Sequence, residues 1–361
     1  MTGDTIPIAD TPEGLTPSWL TAALTASRVL DGARVVDVTF HPIGTGQMCD
    51  CLRLDVHYDR LTDGPSTIVA KLPAADETSR TTAKALRSYE NEVRFYQQLA
   101  PELPIRTPHA YYADIDVESA RFVLLLEDLA PAQQGDQLRG CTAGQAQVAL
   151  EELVKLHASH WGDGTLADIE WLHRDKAANH QFLTALLPGL WEGFRDRYAT
   201  DLSVEVTQGG TVLFSKIDAY LLADPGPWTV VHGDYRLDNL LFDPAPGGVP
   251  VAVVDWQMCT DGPGMHDVAY FIGAGLGVDE RRSAETDLVR GYHAALTAAG
   301  VTDYAWDQCW QEYRRGTWSG LIMAVAASML VERTARGDQM FLTMADRHAR
   351  HALDLDAAEA I

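Results

Sequence analysis

Residues 230–257 read VVHGDYRLDNLLFDPAPGGVPVAVVDWQ, and the rest of the chain is best read outward from them. Two apolar runs, Trp228–Val231 and Val249–Val254, predict short buried strands. Each ends on a polar cluster: His232-Gly233-Asp234 after the first, Asp255-Trp256-Gln257 after the second. Between them lie a further apolar run, Leu240–Phe242, and the turn signal Asp243-Pro244-Ala245-Pro246-Gly247-Gly248. The spacing puts Asp234, Asn239 and Asp255 at the mouths of strands, where a rigid support carries side chains that can do chemistry.

Asp234 follows Gly233, which permits a tight backbone and leaves the carboxylate presented. A carboxylate so placed can take a proton from an attacking hydroxyl. Asn239 and Asp255 offer hard oxygen donors, which suit a Mg²⁺ ion that keeps several waters and shares phosphate oxygens. Arg236 can clamp a phosphoryl oxygen. The order H-x-D-x-x-x-x-N, then a strand, then a metal-binding Asp is a phosphoryl-transfer template. Here the middle residue is Gly, and Asp255 is followed by Trp-Gln rather than Phe-Gly. In this form the stretch resembles the aminoglycoside phosphotransferase, choline kinase and ecdysteroid-kinase-like enzymes, the small-molecule branch of the protein-kinase-like superfamily. The competing reading is a pair of Asp-capped turns in an unrelated sheet.

Upstream, Leu15–Leu30 predicts a helix with Thr16 as N-cap and Pro17 at its first position. Val35–Phe40 and Cys51–Tyr58 alternate like strands, and between them Ile43-Gly44-Thr45-Gly46-Gln47-Met48 forms a Gly-rich hairpin whose backbone N–H groups can approach phosphates. Thr67–Leu72 is the next strand, with Lys71 in apolar company near its end. A long ammonium can grip phosphates as a point charge; the alternative is a lysine on the solvent face of an edge strand. Thr81–Leu99 predicts one helix, with Leu86, Tyr89, Val93, Tyr96 and Leu99 at spacings of three and four. Both Glu90 and Glu92 qualify as a partner for Lys71, and the helical wheel favours Glu92, nearer the apolar face. Phe122–Leu126 predicts a buried strand, broken by Glu127-Asp128-Leu129-Ala130-Pro131.

From Thr142 the chain turns helical, and eight of its nine Trp follow residue 150. Ala143–Trp161 predicts an amphipathic helix in which His157 packs with Leu153 and Leu156, a core role being favoured over ligation by His157 and His160. Helical segments across Ile169–Leu222 are expected to break at Pro188 and at Gly209-Gly210. After the central stretch, Gly262–Ala269 opens a helix that Asp267 can cap, and Val289–Ala299, Trp306–Val331 and Asp338–Ala358 predict three more.

Composition narrows the function classes. The 361 residues suffice for two lobes, and a net charge of −23 argues against a nucleic-acid backbone or an anionic membrane as partner. The longest apolar run, Leu321–Val331, falls short of the roughly 18 residues of a membrane span and predicts a buried helix. The opening MTGDTIPIAD lacks a basic and an apolar leader region, so a cytoplasmic location is expected. Five Cys without zinc spacing predict free thiols, with Cys49-x-Cys51 as the one conceivable metal pair. Only 5 of 28 basic residues are Lys, which singles out Lys71.

The resemblance implies a bilobal α+β fold: a small antiparallel-sheet lobe over residues 1–129 and a larger, mostly helical lobe over 130–361. It implies ATP and Mg²⁺, with Asp234 as catalytic base, Arg236 offsetting γ-phosphate charge, and Asn239 and Asp255 on the metal. Lys71, held by Glu92, would grip the α/β-phosphates, Gly44 and Gly46 would cover them, and backbone groups at Glu127 and Leu129 would meet adenine. Asp267 would brace the catalytic loop. The expected acceptor is a small hydroxylated molecule, as in aminoglycoside phosphotransferases. Alternatives are an apolar hydroxylated metabolite (a steroid, lipid or hydroxyacyl thioester), lined by the Trp-rich lobe, and a choline-like amine alcohol. A protein acceptor is disfavoured, because no Ala-Pro-Glu signal or activation-loop stretch separates Asp255 from Asp267. The reading from another class is a catalytically silent nucleotide-binding module.

Overall fold

A computed structural model describes residues 6–44, 48–172, 176–223, 226–243 and 250–361. The chain forms two compact units. The first holds residues up to Glu102, Thr107–Pro131 and the three residues Asp255–Gln257; the second holds the remainder.

In the first unit, helix α1 (Pro17–Ala26) starts as its sequence dictates, the Thr16 hydroxyl accepting from the Trp19 N–H and Pro17 standing at the first position. Strands β1 (Val35–Pro42), β2 (Cys49–Tyr58) and β3 (Thr67–Pro73) follow, then helices α2 (Glu77–Ala85) and α3 (Ser88–Arg94), and strands β4 (Ala110–Asp116) and β5 (Arg121–Glu127). The five strands make one antiparallel sheet in the order β1-β2-β3-β5-β4. Strand side chains alternate between faces. Leu52, Leu54, Ile68, Ala70 and Leu72 therefore share one face, where they pack with Trp19, Leu20 and Leu24 of α1 in a continuous core. Lys71, between Ala70 and Leu72, must point to the opposite face.

The single helix expected over Thr81–Leu99 is two helices and a π-helical turn, Phe95–Leu99. Arg87 breaks it with a left-handed φ of 56°. The physical reason is burial. On one straight helix Ala83 and Glu92 fall half a turn apart at about 100° per residue, yet both are fully buried. The break lets each segment turn its own face inward and leaves Leu86 exposed.

The second unit begins with β6 (Gln133–Gln134) and α4 (Ala143–Ser159), the latter closed by a capping box between Thr142 and Gln145. Helices α5 (Lys176–Arg197), α6 (Val204–Ser215) and α7 (Ile217–Leu222) come next. The breaks expected at Pro188 and Gly209-Gly210 do not occur; both lie inside helices. A Cβ on Gly210 would sit 2.2 Å from the Trp191 ring, and one on Gly209 would sit 3.3 Å from Ala349 Cβ. These glycines serve close helix approach rather than termination.

Strands β7 (Trp228–Val231), β8 (Leu240–Phe242), β9 (Val251–Val253) and β10 (Thr260–Pro263) follow, β7 pairing with β10 and β8 with both β6 and β9. Helices α8 (Met265–Gly275), α9 (Val278–Ala298), α10 (Trp306–Leu330) and α11 (Ala335–Asp354) complete the unit. Helix α9 starts well before the expected Val289, because its charged first half buries an i,i+4 pair, Arg281 Nη1 to Glu285 Oε1 at 2.9 Å. The core joins Trp318, Leu321 and Val325 of α10 to Phe341 and Met344 of α11 and to Trp191 and Phe194 of α5. Among the described residues no helix is long and apolar enough to cross a membrane.

Candidate functional site

The β7–β8 connection in the second unit carries the first constellation. Gly233 adopts φ 79°, and a Cβ there would stand 2.4 Å from the Met258 carbonyl oxygen, so only glycine fits. The Asp267 carboxylate, on the first turn of α8, accepts from His232 N–H at 2.7 Å and from Gly233 N–H at 3.0 Å. It does not cap its own helix; it holds the loop. Buried His157 stands behind it, Nε2 at 3.4 Å from Asp267 and Nδ1 at 2.6 Å from the Tyr292 hydroxyl. Burial alone would raise the Asp267 pKa, but the hydrogen bonds and charge of His157 and His232 outweigh it and hold the carboxyl below its usual range.

The loop so fixed presents Asp234. Its Oδ1 accepts from the Tyr270 hydroxyl at 2.8 Å, and Arg236 Nε lies 3.2 and 3.0 Å from the two carboxylate oxygens. Asn239 Nδ2 donates to the Asp234 main-chain oxygen and to Oδ2, both at 2.9 Å. Arg236 also reaches Asp238 Oδ2 at 2.6 Å, and Gln137 accepts from Leu237 N–H while its own N–H donates to Asp238 Oδ1, both at 3.0 Å. The arrangement is a carboxylate with both oxygens oriented by three side chains, on a loop whose backbone is itself pinned.

The second constellation lies within the first unit. Lys71 Nζ stands 2.6 Å from Glu92 Oε1 and 3.3 Å from Asp255 Oδ1. Glu92 also accepts from Trp256 N–H and from Gln257 Nε2, each at 3.3 Å. Asn91 Nδ2 donates to the Gln257 carbonyl at 3.1 Å, and the Trp256 ring stacks on Phe95 at 3.7 Å, so α3 and residues 255–257 lock together. Burial alone would lower the Lys71 pKa; the carboxylates of Asp255 and Glu92 outweigh it, and the ammonium stays charged well above the ordinary lysine range. Glu90 pairs instead with Arg87, at 2.9 Å. Asp255 has a left-handed φ of 67° and a side chain 37% exposed, against 8% for Lys71. A non-glycine backbone held in that region is the kind of strain that clusters at functional sites.

A phosphotransferase profile matches residues 57–308, which is most of the chain. The chain belongs to the phosphotransferase enzyme family. The family is one of phosphotransferase enzymes. A microcompartment-associated aminopropanol kinase has a similar fold, with a TM-score of 0.54 and 15% identity over 95% of this chain and 100% of that one. Ethanolamine kinase of Plasmodium vivax gives 0.52 and 8% over 96% and 89%. These likenesses give the family member its bilobal α+β, kinase-like fold. Among curated proteins, acyl-CoA dehydrogenase family member 10 of Mus musculus is 55% identical over 42 residues, 12% of this chain and 4% of that protein. A probable acyl-CoA dehydrogenase of Arabidopsis thaliana, IBR3, is 49% identical over 41 residues, 11% of this chain and 5% of that protein. The chain thus matches only about a twentieth of the length of these curated relatives.

The remaining residues singled out by sequence fall as follows. Gly44, at the end of β1, has φ 75°, a conformation that favours glycine. Gly46 lies outside the described residues. Glu127 ends β5; its N–H donates to the His109 carbonyl at 2.8 Å and its Oε2 accepts from His109 N–H at 3.0 Å. Leu129 is buried two residues on. Tyr270, Gln137 and Asp238 were not singled out by sequence; no local pattern ties Tyr270 and Gln137 to a loop they reach only through tertiary contact, and Asp238, on the loop itself, shows its role only through Arg236 and Gln137.

Asp255 and Asn239 each carry an oxygen of the hard type that Mg²⁺ accepts. That ion accepts one or two protein oxygens and completes its shell with water and phosphate. Asp255, in the first unit, supplies a partly exposed carboxylate, and Asn239, in the second, a side-chain amide whose Nδ2 is engaged by Asp234. Among the described residues no three His, Cys, Asp or Glu side chains gather into a cage.

An Asp267→Ala variant is expected to lose about 3–6 kcal/mol of stability, two charge-assisted hydrogen bonds at about 1.5–3 kcal/mol each. Urea unfolding measures it. A loss below about 0.5 kcal/mol, the range of ordinary surface changes, would mean that the loop is held by something else.

Proposed function

We propose that the enzyme transfers the γ-phosphoryl group of ATP to a hydroxyl group of a small molecule. The observation that carries this reading is the Lys71 ammonium, almost wholly buried on a strand and held between Glu92 and Asp255. A buried lysine kept charged by two carboxylates, one partly exposed, suits a grip on α/β-phosphates. Gly44 would cover those phosphates, and the backbone at Glu127 and Leu129 would receive adenine. Asp255 and Asn239 are the proposed ligands of Mg²⁺, which when bound neutralises phosphate charge. Asp234 orients the acceptor hydroxyl and takes its proton; Tyr270, Arg236 and Asn239 hold that carboxylate in register. Arg236, already paired with Asp234 and Asp238, acts mainly by positioning.

A second reading concerns the acceptor. The short, 44–55% identical match to acyl-CoA dehydrogenase family members favours a hydroxylated acyl thioester over an aminoglycoside or an amino alcohol. The test is ATP consumption with mass detection of product across three panels: aminoglycosides, amino alcohols and hydroxyacyl-CoA thioesters. Phosphorylated hydroxyacyl thioester is the expected product. Product from the aminoglycoside or amino-alcohol panel alone would refute the acceptor assignment. Tight nucleotide binding without product in any panel would favour a silent nucleotide-binding module.

A further inference from the structure

Two thiols share the sheet face that carries Lys71. Cys49 and Cys51 lie on β2 two residues apart, so both point the same way. Their sulfurs are 3.9 Å apart. Cys51 pairs across the sheet with Lys71, which puts its side chain on the ammonium's face. Cys49 is buried and its sulfur accepts from Gln257 Nε2 at 3.3 Å, the same amide that reaches Glu92. Cys51 is only partly buried. The other three cysteines lie elsewhere, at 141, 259 and 309.

We propose that Cys49 and Cys51 form a peroxide-oxidisable dithiol whose closure to a disulfide blocks the Lys71 side of the sheet to nucleotide. The accessible member reacts first. The Cys51 thiolate attacks the terminal oxygen of a hydroperoxide; an S–O bond forms, the O–O bond breaks, and the leaving hydroxide or alkoxide departs as water or alcohol after protonation. Cys49 then attacks the sulfenic sulfur; the S–S bond forms, the S–O bond breaks, and the hydroxide leaves as water with the Cys49 proton. Both sulfurs are oxidised and one peroxide is reduced. Two features support this order. The hydrogen bond from Cys49 and the nearby Lys71 charge lower the Cys51 pKa against the effect of burial, which favours the reactive thiolate. Positions i and i+2 of a strand stand about 6.4–6.8 Å apart at Cα, and their Cβ atoms about as far, more than the roughly 4.5 Å that a disulfide spans between Cβ atoms, so the bridge closes only by bending β2 at its first residues and reduces readily. A bridge there would also disturb the Gln257 contact to Cys49 and, through it, Glu92.

The bridge is independent of the proposed reaction; its effect on nucleotide rests on that reading. The experiment treats the full chain with hydrogen peroxide, then maps thiols by alkylation and mass spectrometry and measures ATP affinity by calorimetry before and after dithiothreitol. Expected is loss of two hydrogens within the peptide holding Cys49 and Cys51, with ATP affinity falling about tenfold or more and recovering on reduction. Cys49→Ser and Cys51→Ser should each abolish the bridge, and neither should show a reducible drop in affinity. Both thiols remaining alkylatable under excess peroxide would overturn the modification site. A bridge that forms and leaves ATP affinity unchanged, in a protein that binds ATP when reduced, would overturn the block alone.

Discussion

Changing Asp234 to Asn is expected to cut turnover by roughly 10²–10⁴-fold, the range for losing a general base, while ATP binds within about threefold of the parent value. The drop corresponds to about 3–5 kcal/mol at the transition state, at 1.36 kcal/mol per factor of ten. The two effects separate because the residues separate. Every partner found for the Asp234 side chain, Tyr270, Arg236 and Asn239, belongs to the second unit. The Lys71–Glu92–Asp255 set belongs to the first and keeps all of its hydrogen bonds.

Asn is nearly isosteric, and Asn239 retains its bond to the Asp234 main-chain oxygen whatever the side chain becomes. The loop stays pinned by Asp267 as well. A graded control follows from Tyr270. Tyr270→Phe removes one donor to Asp234 Oδ1 and leaves the base in place, so it should cost about tenfold in turnover, one hydrogen bond to a charged group. Single-turnover kinetics with calorimetry distinguish the outcomes. If Asp234→Asn loses ATP affinity at unchanged turnover, the carboxylate binds nucleotide and is not the base.

How much of this was legible in advance follows from which constraints are local. Gly233 could be read because a glycine before a polar cluster has few uses, and here the Met258 oxygen fills the place of its Cβ. Lys71 could be read because a lysine flanked by Ala70 and Leu72 must face away from the apolar side. Strands β2, β3 and β5 were visible as alternation or apolar runs; β4, AYYADID, was not, because its residues are half-buried on both faces. Arg87 gave no warning of its left-handed turn, since non-glycine residues seldom adopt one. Gly209-Gly210 and Pro188 misled because sequence alone does not tell a glycine that ends a helix from one that admits the Trp191 ring. Tyr270 and Gln137 were invisible for a different reason. Their roles are made by tertiary contact, and although Asp267 stands one turn before Tyr270 and bonds the same loop, no sequence spacing says that Tyr270 or Gln137 reaches it too.

Lys71→Met should produce a double loss. Nucleotide affinity is expected to fall about 10–100-fold, the worth of one strong charge-assisted contact. Stability is expected to fall by about 3–5 kcal/mol near neutral pH, because removing one member strands a fully buried carboxylate. Among the described residues Glu92 would keep the Trp256 N–H and Gln257 Nε2 as donors. The pH dependence has a definite sign. Without the ammonium, burial pushes the Glu92 pKa further above its unfolded value of about 4.3. Between those two values the folded chain binds more protons than the unfolded one, so stability falls as pH rises. The variant should therefore be more stable near about pH 5 than near about pH 7.5, with a steeper slope than the parent. Adding Glu92→Gln removes the stranded charge. The double variant should regain most of the stability and lose the extra slope, yet stay weak for ATP. Denaturant titration at the two pH values and calorimetry with ATP read both quantities. A single variant as stable as the parent at the higher pH would show that Glu92 does not depend on Lys71. A double variant that recovers ATP affinity would make Lys71 a structural counter-ion and remove the phosphate grip from the mechanism.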